Sequence, residues 1–228
     1  MRDDELLELW TRATGSPAGA RGRVLAGVLA RVPDPADAPI GELNRVLLAV
    51  WREEFGDRME CVTSCSACEE RLEFELSAGA ILAAGGAAAE PPSVEHGGRM
   101  LELRAPTPRD LDAVAGAGSH ELAKRELARR LARLDDVPGD ELADAVSGAL
   151  AAADPHISVG VALVCPACSA QFRATVDVGA HVWAALDGRA RRVIAEVAEL
   201  AAAYGWTEDE VLRLPSARRR AYAERVSR

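Results

Sequence analysis

The sequence predicts an α+β fold that is predominantly helical and contains a small antiparallel strand element. Over most of the chain, apolar residues recur at helical spacing, as they do from Val24 to Val32. Two short stretches instead alternate apolar and polar residues, which is typical of half-buried strands. Each of these stretches surrounds a Cys-x-x-Cys pair, Cys65 with Cys68 and Cys165 with Cys168. The strand element is therefore expected to form from two distant cysteine hairpins.

The N-terminal part of the chain is predicted to be helical. One apolar stripe runs from Leu6 to Trp10, and a second runs from Val24 to Val32. Prolines at positions 33, 35 and 39 then interrupt the helical pattern. A third helix is expected over residues 41–55, and Gly56 is a suitable stop.

The strands are predicted around the cysteines and in one further hairpin. The first pair lies in a hairpin over residues 59–76, in which Leu72, Phe74 and Leu76 alternate with glutamates. A loop is expected near residues 87–92, followed by a hairpin over residues 94–103 with a turn at His96–Gly98. The second cysteine pair follows an alternating stretch that begins at Ile157 and precedes one that ends at Val176.

The remaining segments are predicted to be helical. Thr107, Pro108 and Asp110 supply an N-cap, a first-turn proline and a capping-box acid. Gly205 is a suitable C-cap, and Thr207 to Glu210 has the capping-box pattern. The expected helices are 108–116, 119–134, 140–152, 179–204, a short helix from 207, and 218–226.

The chain is expected to form a single domain over residues 1–228. Its length is sufficient to bury a core of that kind. The predicted parts are N-terminal helices at 1–56, the first knuckle and hairpin at 57–104, a helical insert at 105–155, the second knuckle at 156–178, and C-terminal helices at 179–228.

The two cysteine pairs predict one shared metal site. A Cys-x-x-Cys turn offers two thiolates from one tight loop, and a second loop completes the four ligands that structural zinc prefers. We therefore predict a zinc-ribbon-like site in which Cys65, Cys68, Cys165 and Cys168 hold one structural zinc ion. A site closed by four protein ligands leaves no open position for catalysis. The predicted role of the metal is therefore structural.

Two other interpretations of the cysteines stay open. The pairs are separated by 96 residues (69–164), which is a long gap for a compact zinc ribbon. Glu69 and Ser169 also stand where such knuckles often carry glycine, so the pairs could be packed thiols that have lost their metal. A redox pair is the third interpretation, although redox pairs commonly lie at helix N-termini, whereas these run into predicted strands.

Other candidate residues favour structural roles. Cys61 is predicted to be a packed or free thiol, and His96 and His156 are the histidines that could lie near the metal. His120 and His181 stand near helix starts. The sequence contains no common hydrolase, phosphate-loop or dinucleotide-binding motif, so we predict a protein that is not an enzyme and has no small-molecule substrate.

Composition and charge restrict the expected partners. The formal net charge is −9, whereas a free-standing nucleic-acid binder is usually basic. Residues 189–228 contain nine arginines and six acids, which suits a solvated basic face or an acidic protein partner better than RNA. No apolar run is long enough for a membrane span, and the acidic start lacks a signal peptide's apolar segment. A cytoplasmic location is therefore expected.

The C-terminal part of the chain resembles a known family. Residues 201–222, which contain Tyr204-Gly205-Trp206, resemble the ending of baseplate proteins from contractile phage-tail-like injection systems, a family related to T-even phage baseplate hub assembly proteins. Residues 176–192, both cysteine knuckles and the opening Glu-Leu-Leu-Glu-Leu-Trp are also similar to that family. The resemblance covers the whole chain and is most specific over residues 160–222.

This resemblance implies a non-enzymatic role in assembling a baseplate or hub, as a structural part or as a chaperone. Its implied partners are other baseplate, hub or tube proteins, and its implied location is a bacterial cytoplasm or a phage-tail-like particle. Residues 207–228 are expected to be a docking element that can be removed without loss of the fold. The alternative is a zinc-ribbon adaptor or regulator associated with nucleic acid.

Overall fold

The computed structural model describes residues 1–85 and 90–226 of the chain. It confirms an α+β architecture in which helices predominate and the strands form small antiparallel pairs. The loop predicted near residues 87–92 lies partly outside the described residues, as does the last arginine, Arg228. The helices are α1 (Asp3–Thr14), α2 (Arg21–Ala30), α3 (Ile40–Phe55), α4 (Ala78–Ala83), α5 (Pro108–Val114), α6 (His120–Leu131), α7 (Asp140–Ala153), α8 (Val178–Tyr204), α9 (Glu208–Arg213) and α10 (Ser216–Val226), with a 3-10 turn at Ala18–Ala20.

The strands form separate hairpins. They are β1 (Arg58–Ser64), β2 (Arg71–Ser77), β3 (Ser93–His96), β4 (Arg99–Glu102), β5 (Gly160–Val164) and β6 (Gln171–Thr175). β1 pairs with β2, β3 with β4 and β5 with β6, each as a two-stranded antiparallel sheet. Over the described ranges, no strand ladder joins the two cysteine hairpins. The zinc-ribbon description therefore stays a prediction.

Most predicted helix ends are confirmed, because they rest on local chemistry. Thr107 and Asp110 form a capping box at the start of α5, and Thr207 and Glu210 form another at the start of α9. Gly56 follows α3 with a φ of 91°, a left-handed conformation that glycine adopts without a steric penalty. Gly205, which follows α8, and the Gly97-Gly98 turn also have the positive φ that glycine tolerates.

The tertiary contacts divide the chain into two compact units, and the prediction of a single domain stays a prediction. One unit combines Met1–Leu25 with Ala180–Arg228, and we call it the terminal unit. The other is the continuous segment Ala26–Gly179, which we call the central unit. The segment predicted at 1–56 is therefore divided between the two units, and the segment predicted at 179–228 belongs to the terminal unit from residue 180 onward.

The central unit contains a helical core beside the β3–β4 hairpin. α6 and α7 pack against each other and contribute most of the buried apolar side chains of this core. Leu131 is 1% exposed and Val146 is 1% exposed, so both are fully enclosed. The buried members are Val94, Leu103, Ala128, Leu131, Ala132, Leu142, Ala143, Val146 and Leu150.

The terminal unit is built around the apolar stripe of α8. Val182, Leu186, Val193 and Leu200 are buried and recur at three- to four-residue intervals or their multiples, as expected for one helix face. The expectation that residues 207–228 can be removed is wrong for this structure. Val211 is fully buried, and Arg219 is 3% exposed, so these residues belong to the fold of the unit.

Within the described residues, we find no helix that combines the length and the apolar composition needed to cross a membrane.

Candidate metal centre

The two cysteine hairpins have the same local geometry, although they lie one hundred positions apart. Ser64 pairs with Arg71 in the first hairpin, and Val164 pairs with Gln171 in the second, so the same register closes both loops. The N–H of the leading cysteine donates to the carbonyl of the residue five positions later, at 2.8 Å for Cys65 and 2.9 Å for Cys165. Each hairpin therefore presents its two thiols from the same kind of knuckle.

The residue after each second cysteine has a left-handed backbone. Glu69 and Ser169 both have a φ of 61°, and the N–H of each donates to the carbonyl of the leading cysteine at 2.9 Å. Glycine adopts this conformation freely, whereas other L-residues have a steric penalty of about 1–2 kcal/mol. Glu69 and Ser169 therefore keep the backbone shape that glycine would adopt in the knuckle, at the expense of some steric strain.

The four sulfurs form a compact cluster. Cys65 Sγ lies 3.7 Å from Cys168 Sγ, and Cys68 Sγ lies 3.6 Å from Cys165 Sγ. All four lie within 4.8 Å of one another and could hold one metal ion. A disulfide needs a sulfur separation of about 2.0 Å, so no pair is bonded, and all are free cysteines. Tetrahedral coordination with metal–sulfur bonds of about 2.3 Å places sulfurs about 3.8 Å apart, which fits the two separations between knuckles of 3.6 and 3.7 Å.

The surroundings bury one cysteine of each pair. Cys65 is 2% exposed and Cys165 is 1% exposed, whereas Cys68 and Cys168 are exposed. The two close sulfur pairs each join a buried cysteine of one knuckle to an exposed cysteine of the other. Leu72 is buried in the same cluster, with Ala170 and Phe172 packed against it.

The surroundings shift the pKa values of Cys65 and Cys68 in opposite directions. The N–H of Ala67, 3.4 Å from Cys65 Sγ, is the main cause that lowers the pKa of Cys65 to about 7. The N–H of Glu70 also lowers the pKa of Cys68, but hydrogen bonding with neighbouring thiols outweighs it and raises this pKa to about 12. Thiols this close resist joint ionisation unless a cation lies among them.

The candidate histidines lie elsewhere, and the group of possible ligands found in the described parts of the chain consists of the four cysteines alone. His156 is fully buried, with Nδ1 3.0 Å from Asp154 Oδ1 and Nε2 3.1 Å from the carbonyl of Ile81. His96 ends β3 at an exposed position. Cys61 is buried in β1, and burial raises the pKa of its thiol. These residues are not brought into the sulfur cluster.

Sequence reasoning missed the polar groups that organise the central unit. Asp154 is 6% exposed and also pairs with Arg45 at 3.1 Å, and Asn44 donates to the carbonyl of His156 at 2.8 Å. A Cβ placed on Gly41 would lie 2.0 Å from Asp154 Oδ2, so only glycine leaves room for this carboxylate. No local pattern in the sequence indicates such contacts, because they join residues more than one hundred positions apart.

A second buried carboxylate was predicted as a cap but not as an ion-pair centre. Asp110 is 1% exposed and accepts two bonds from Arg104 at 2.5 Å and one from Arg130 at 3.2 Å. Burial would raise the pKa of Asp110, but the bonds from Arg104 and from Thr107 outweigh it and hold this pKa well below its usual range.

No family model, curated protein or solved structure matches this chain.

Proposed function

We propose that Cys65, Cys68, Cys165 and Cys168 hold one structural zinc ion. The observation that supports this most directly is the separation of 3.6–3.7 Å between sulfurs of different knuckles, which fits tetrahedral zinc. Thiolate ligands select soft or borderline metals, and a tetrahedral four-sulfur set is typical of zinc or iron–sulfur sites. A single ion is favoured over an iron–sulfur cluster, because the closely spaced sulfurs enclose room for one ion only.

The proposed zinc would join two segments of the central unit without doing chemistry. Four cysteine ligands fill a tetrahedral ion, so a substrate would find no free coordination position. The buried His156 is also engaged at both ring nitrogens, by Asp154 and by the Ile81 carbonyl. These contacts support a non-enzymatic protein.

We further propose that the protein takes part in assembling the baseplate or hub of a contractile injection system or phage tail. The resemblance of residues 160–222, described from the sequence, is what supports this role. In the structure, the Tyr204-Gly205-Trp206 motif begins with the last residue of α8, and Tyr204 stacks on Trp206 with ring centroids 4.7 Å apart. Tyr222 packs edge-on against Trp206 at 5.0 Å, so the motif holds α10 beside the end of α8. A rigid joint of this kind suits a protein that presents fixed surfaces to partners.

Several contacts disfavour the alternative of a nucleic-acid adaptor. Arg189 and Arg219 are among the C-terminal arginines that the sequence offered for phosphate binding, yet both pair with Asp3. Arg219 also pairs with Glu196 at 2.9 Å. The rings of Tyr204, Trp206 and Tyr222 pack on one another, which leaves their faces partly covered against stacking bases.

The assembly role is tested by isolating the affinity-tagged chain from its native cells and identifying bound proteins by mass spectrometry. Recovery of tube, sheath, spike or hub proteins in stoichiometric amounts would support it. Recovery of nucleic acid that is lost at raised salt would instead support the adaptor. Recovery of the tagged chain alone from cells that assemble the particles would contradict the proposed role.

A further inference from the structure

The terminal unit contains a large basic cleft that the metal centre does not use. Its volume is about 990 Å³, at the upper end of the range for ligand-binding clefts. Residues of α1, α8, α9 and α10 line it, together with the segment that precedes α1 and the turn between α9 and α10. Six arginines and three aspartates line this cleft, an excess of three positive charges in a chain whose net charge is −9.

One part of this charge is used to build the cleft. Arg219 is 3% exposed and bonds to Asp3, to Glu196 and to the carbonyl of Leu214. Arg189 donates to the other oxygen of Asp3 at 3.0 Å. Because these side chains are fixed by several bonds, and two arginines meet two carboxylates, this part of the cleft is held in place and its charges are balanced.

Another part of the charge faces outward. Arg192 and Arg220 are both exposed and line the cleft, and neither has a carboxylate partner among the residues that the structure describes. Arg213 meets Asp209 at 3.5 Å, with both side chains more than three-quarters exposed, so this pair is weak and open to exchange. The cleft therefore holds arginines that remain available to an incoming anion.

The cleft also has an apolar component. Val193 is 7% exposed, and Leu212, Leu214 and Pro215 line the same space. A phosphate backbone offers nothing to match this apolar lining, and the nearby aromatic rings are packed on one another instead of being open to bases. A peptide that alternates acidic and apolar side chains complements both components, because carboxylates match arginine forks and leucines match the apolar lining.

We propose that this cleft docks an acidic, amphipathic segment of a partner protein. Arg192 and Arg220 would be its main anchors, and Arg213 would exchange Asp209 for a carboxylate of the partner. The inference rests on the proposed assembly role for its choice of a protein occupant, and it is independent of the zinc site. It identifies the chemistry by which an assembly partner would be recognised.

The test measures fluorescence anisotropy of a labelled peptide that repeats Glu-Asp-Leu, titrated with the full chain. The control peptide repeats Gln-Asn-Leu, which keeps the size and removes the charge. The cleft variant is Arg192→Gln with Arg220→Gln. Its matched control is Arg218→Gln with Arg225→Gln, which removes the same charge from exposed arginines outside the cleft lining.

We expect the acidic peptide to bind, and the cleft variant to weaken binding by about tenfold or more, since two charge-assisted contacts are lost. The control variant should change the affinity for the acidic peptide by less than about threefold. Higher salt should weaken binding of the acidic peptide to the unmodified chain. Equal binding of the amide peptide, equal losses in both variants, or no binding of the acidic peptide would each overturn the proposal. Tighter binding of labelled single-stranded DNA, lost in the cleft variant, would replace the peptide with a nucleic acid.

Zinc content is measured on the same samples, so the two proposals can fail separately. A chain that lacks zinc but binds the acidic peptide would contradict the metal site and keep the docking cleft. A chain that holds zinc but does not bind the peptide would contradict the docking cleft and keep the metal site. Unchanged Tm values for both double variants confirm that the comparison is made on folded protein.

Discussion

Replacing Cys165 with serine is expected to abolish metal binding and loosen the central unit. Cys165 is 1% exposed and its sulfur lies 3.6 Å from that of Cys68, so the variant removes a buried ligand from the centre of the cluster. Three remaining thiolates would leave an open position and a weaker site. We therefore expect zinc to fall from one ion per chain to near zero.

The size of the stability loss follows from the loop that the metal closes. Cys68 and Cys165 are 97 positions apart, and cross-linking a loop of this length stabilises a folded chain by about 4–5 kcal/mol in the chain-entropy model. For a unit of this size, each kcal/mol corresponds to about 2–4 °C in Tm, so the fall in Tm is at most about 8–20 °C. The full loss of about 4–5 kcal/mol, the chain-entropy value, is expected only if the whole loop becomes flexible when the metal leaves.

Zinc is measured by elemental analysis, and Tm by circular dichroism with and without a chelator. Cys61→Ser is the matched control, because Cys61 is also buried but lies outside the sulfur cluster. It should keep one zinc per chain. Cys65→Ser should lose all the metal, as Cys165→Ser does, because both knuckles share one ion. Half-loading in either variant, or near-zero zinc in the unmodified chain, would refute the shared site.

Four further substitutions test the backbone, packing and electrostatics of the central unit. Gly41→Ala is expected to destabilise the central unit by about 2–3 kcal/mol, because the added Cβ displaces Asp154. Gly148→Ala is the control in open space and should stabilise α7 by about 0.5–1 kcal/mol. Urea denaturation measures both changes. Ser169→Gly should raise the free energy of unfolding by about 0.5–1 kcal/mol at unchanged zinc content, because it relieves the left-handed φ, and a decrease would contradict that reasoning. Asp110→Asn should lower the free energy of unfolding by about 2–3 kcal/mol at neutral pH, because it breaks the ion pairs with Arg104 and Arg130. The lowered pKa of this carboxyl gives stability that is present above its unfolded pKa of about 3.9 and lost as pH falls further, so the variant should show a flatter acid dependence in urea titrations.

The sequence was sufficient for features that depend on neighbouring residues. The capping boxes at Thr107 and Thr207 need only residues three positions apart, and the stops at Gly56 and Gly205 need only a left-handed backbone. The cysteine hairpins were also predictable, because alternation fixes which face of a strand is buried. Their meeting was inferred from the number of ligands that zinc needs, and the structure brings the four sulfurs together.

The long-range polar contacts could not be predicted in this way. The buried group formed by Asn44, Arg45, Asp154 and His156 depends on how α3 lies against the segment after α7, and local periodicity does not report that. The same holds for Asp3 with Arg219, which are 216 positions apart and turn a tail expected to be removable into part of the terminal unit. Single charged residues give no sequence signal that separates a solvated side chain from a buried ion pair.

The contacts between the two cysteine hairpins also indicate the order in which the central unit would open. No strand ladder in the described residues joins them, and their shared apolar cluster contains one buried large side chain, Leu72, with Phe172 half-buried beside it. Burial of this kind stabilises the contact between the hairpins by only about 2–3 kcal/mol, so the metal is expected to be the main link between them. The helical core of α6 and α7 does not include the cysteines and needs no metal to stay packed. Metal removal should therefore free β1, β2, β5 and β6 first, seen as faster amide hydrogen exchange in these strands while α6 and α7 stay protected. Simultaneous loss of protection in all of these elements would show that the metal supports the helical core as well.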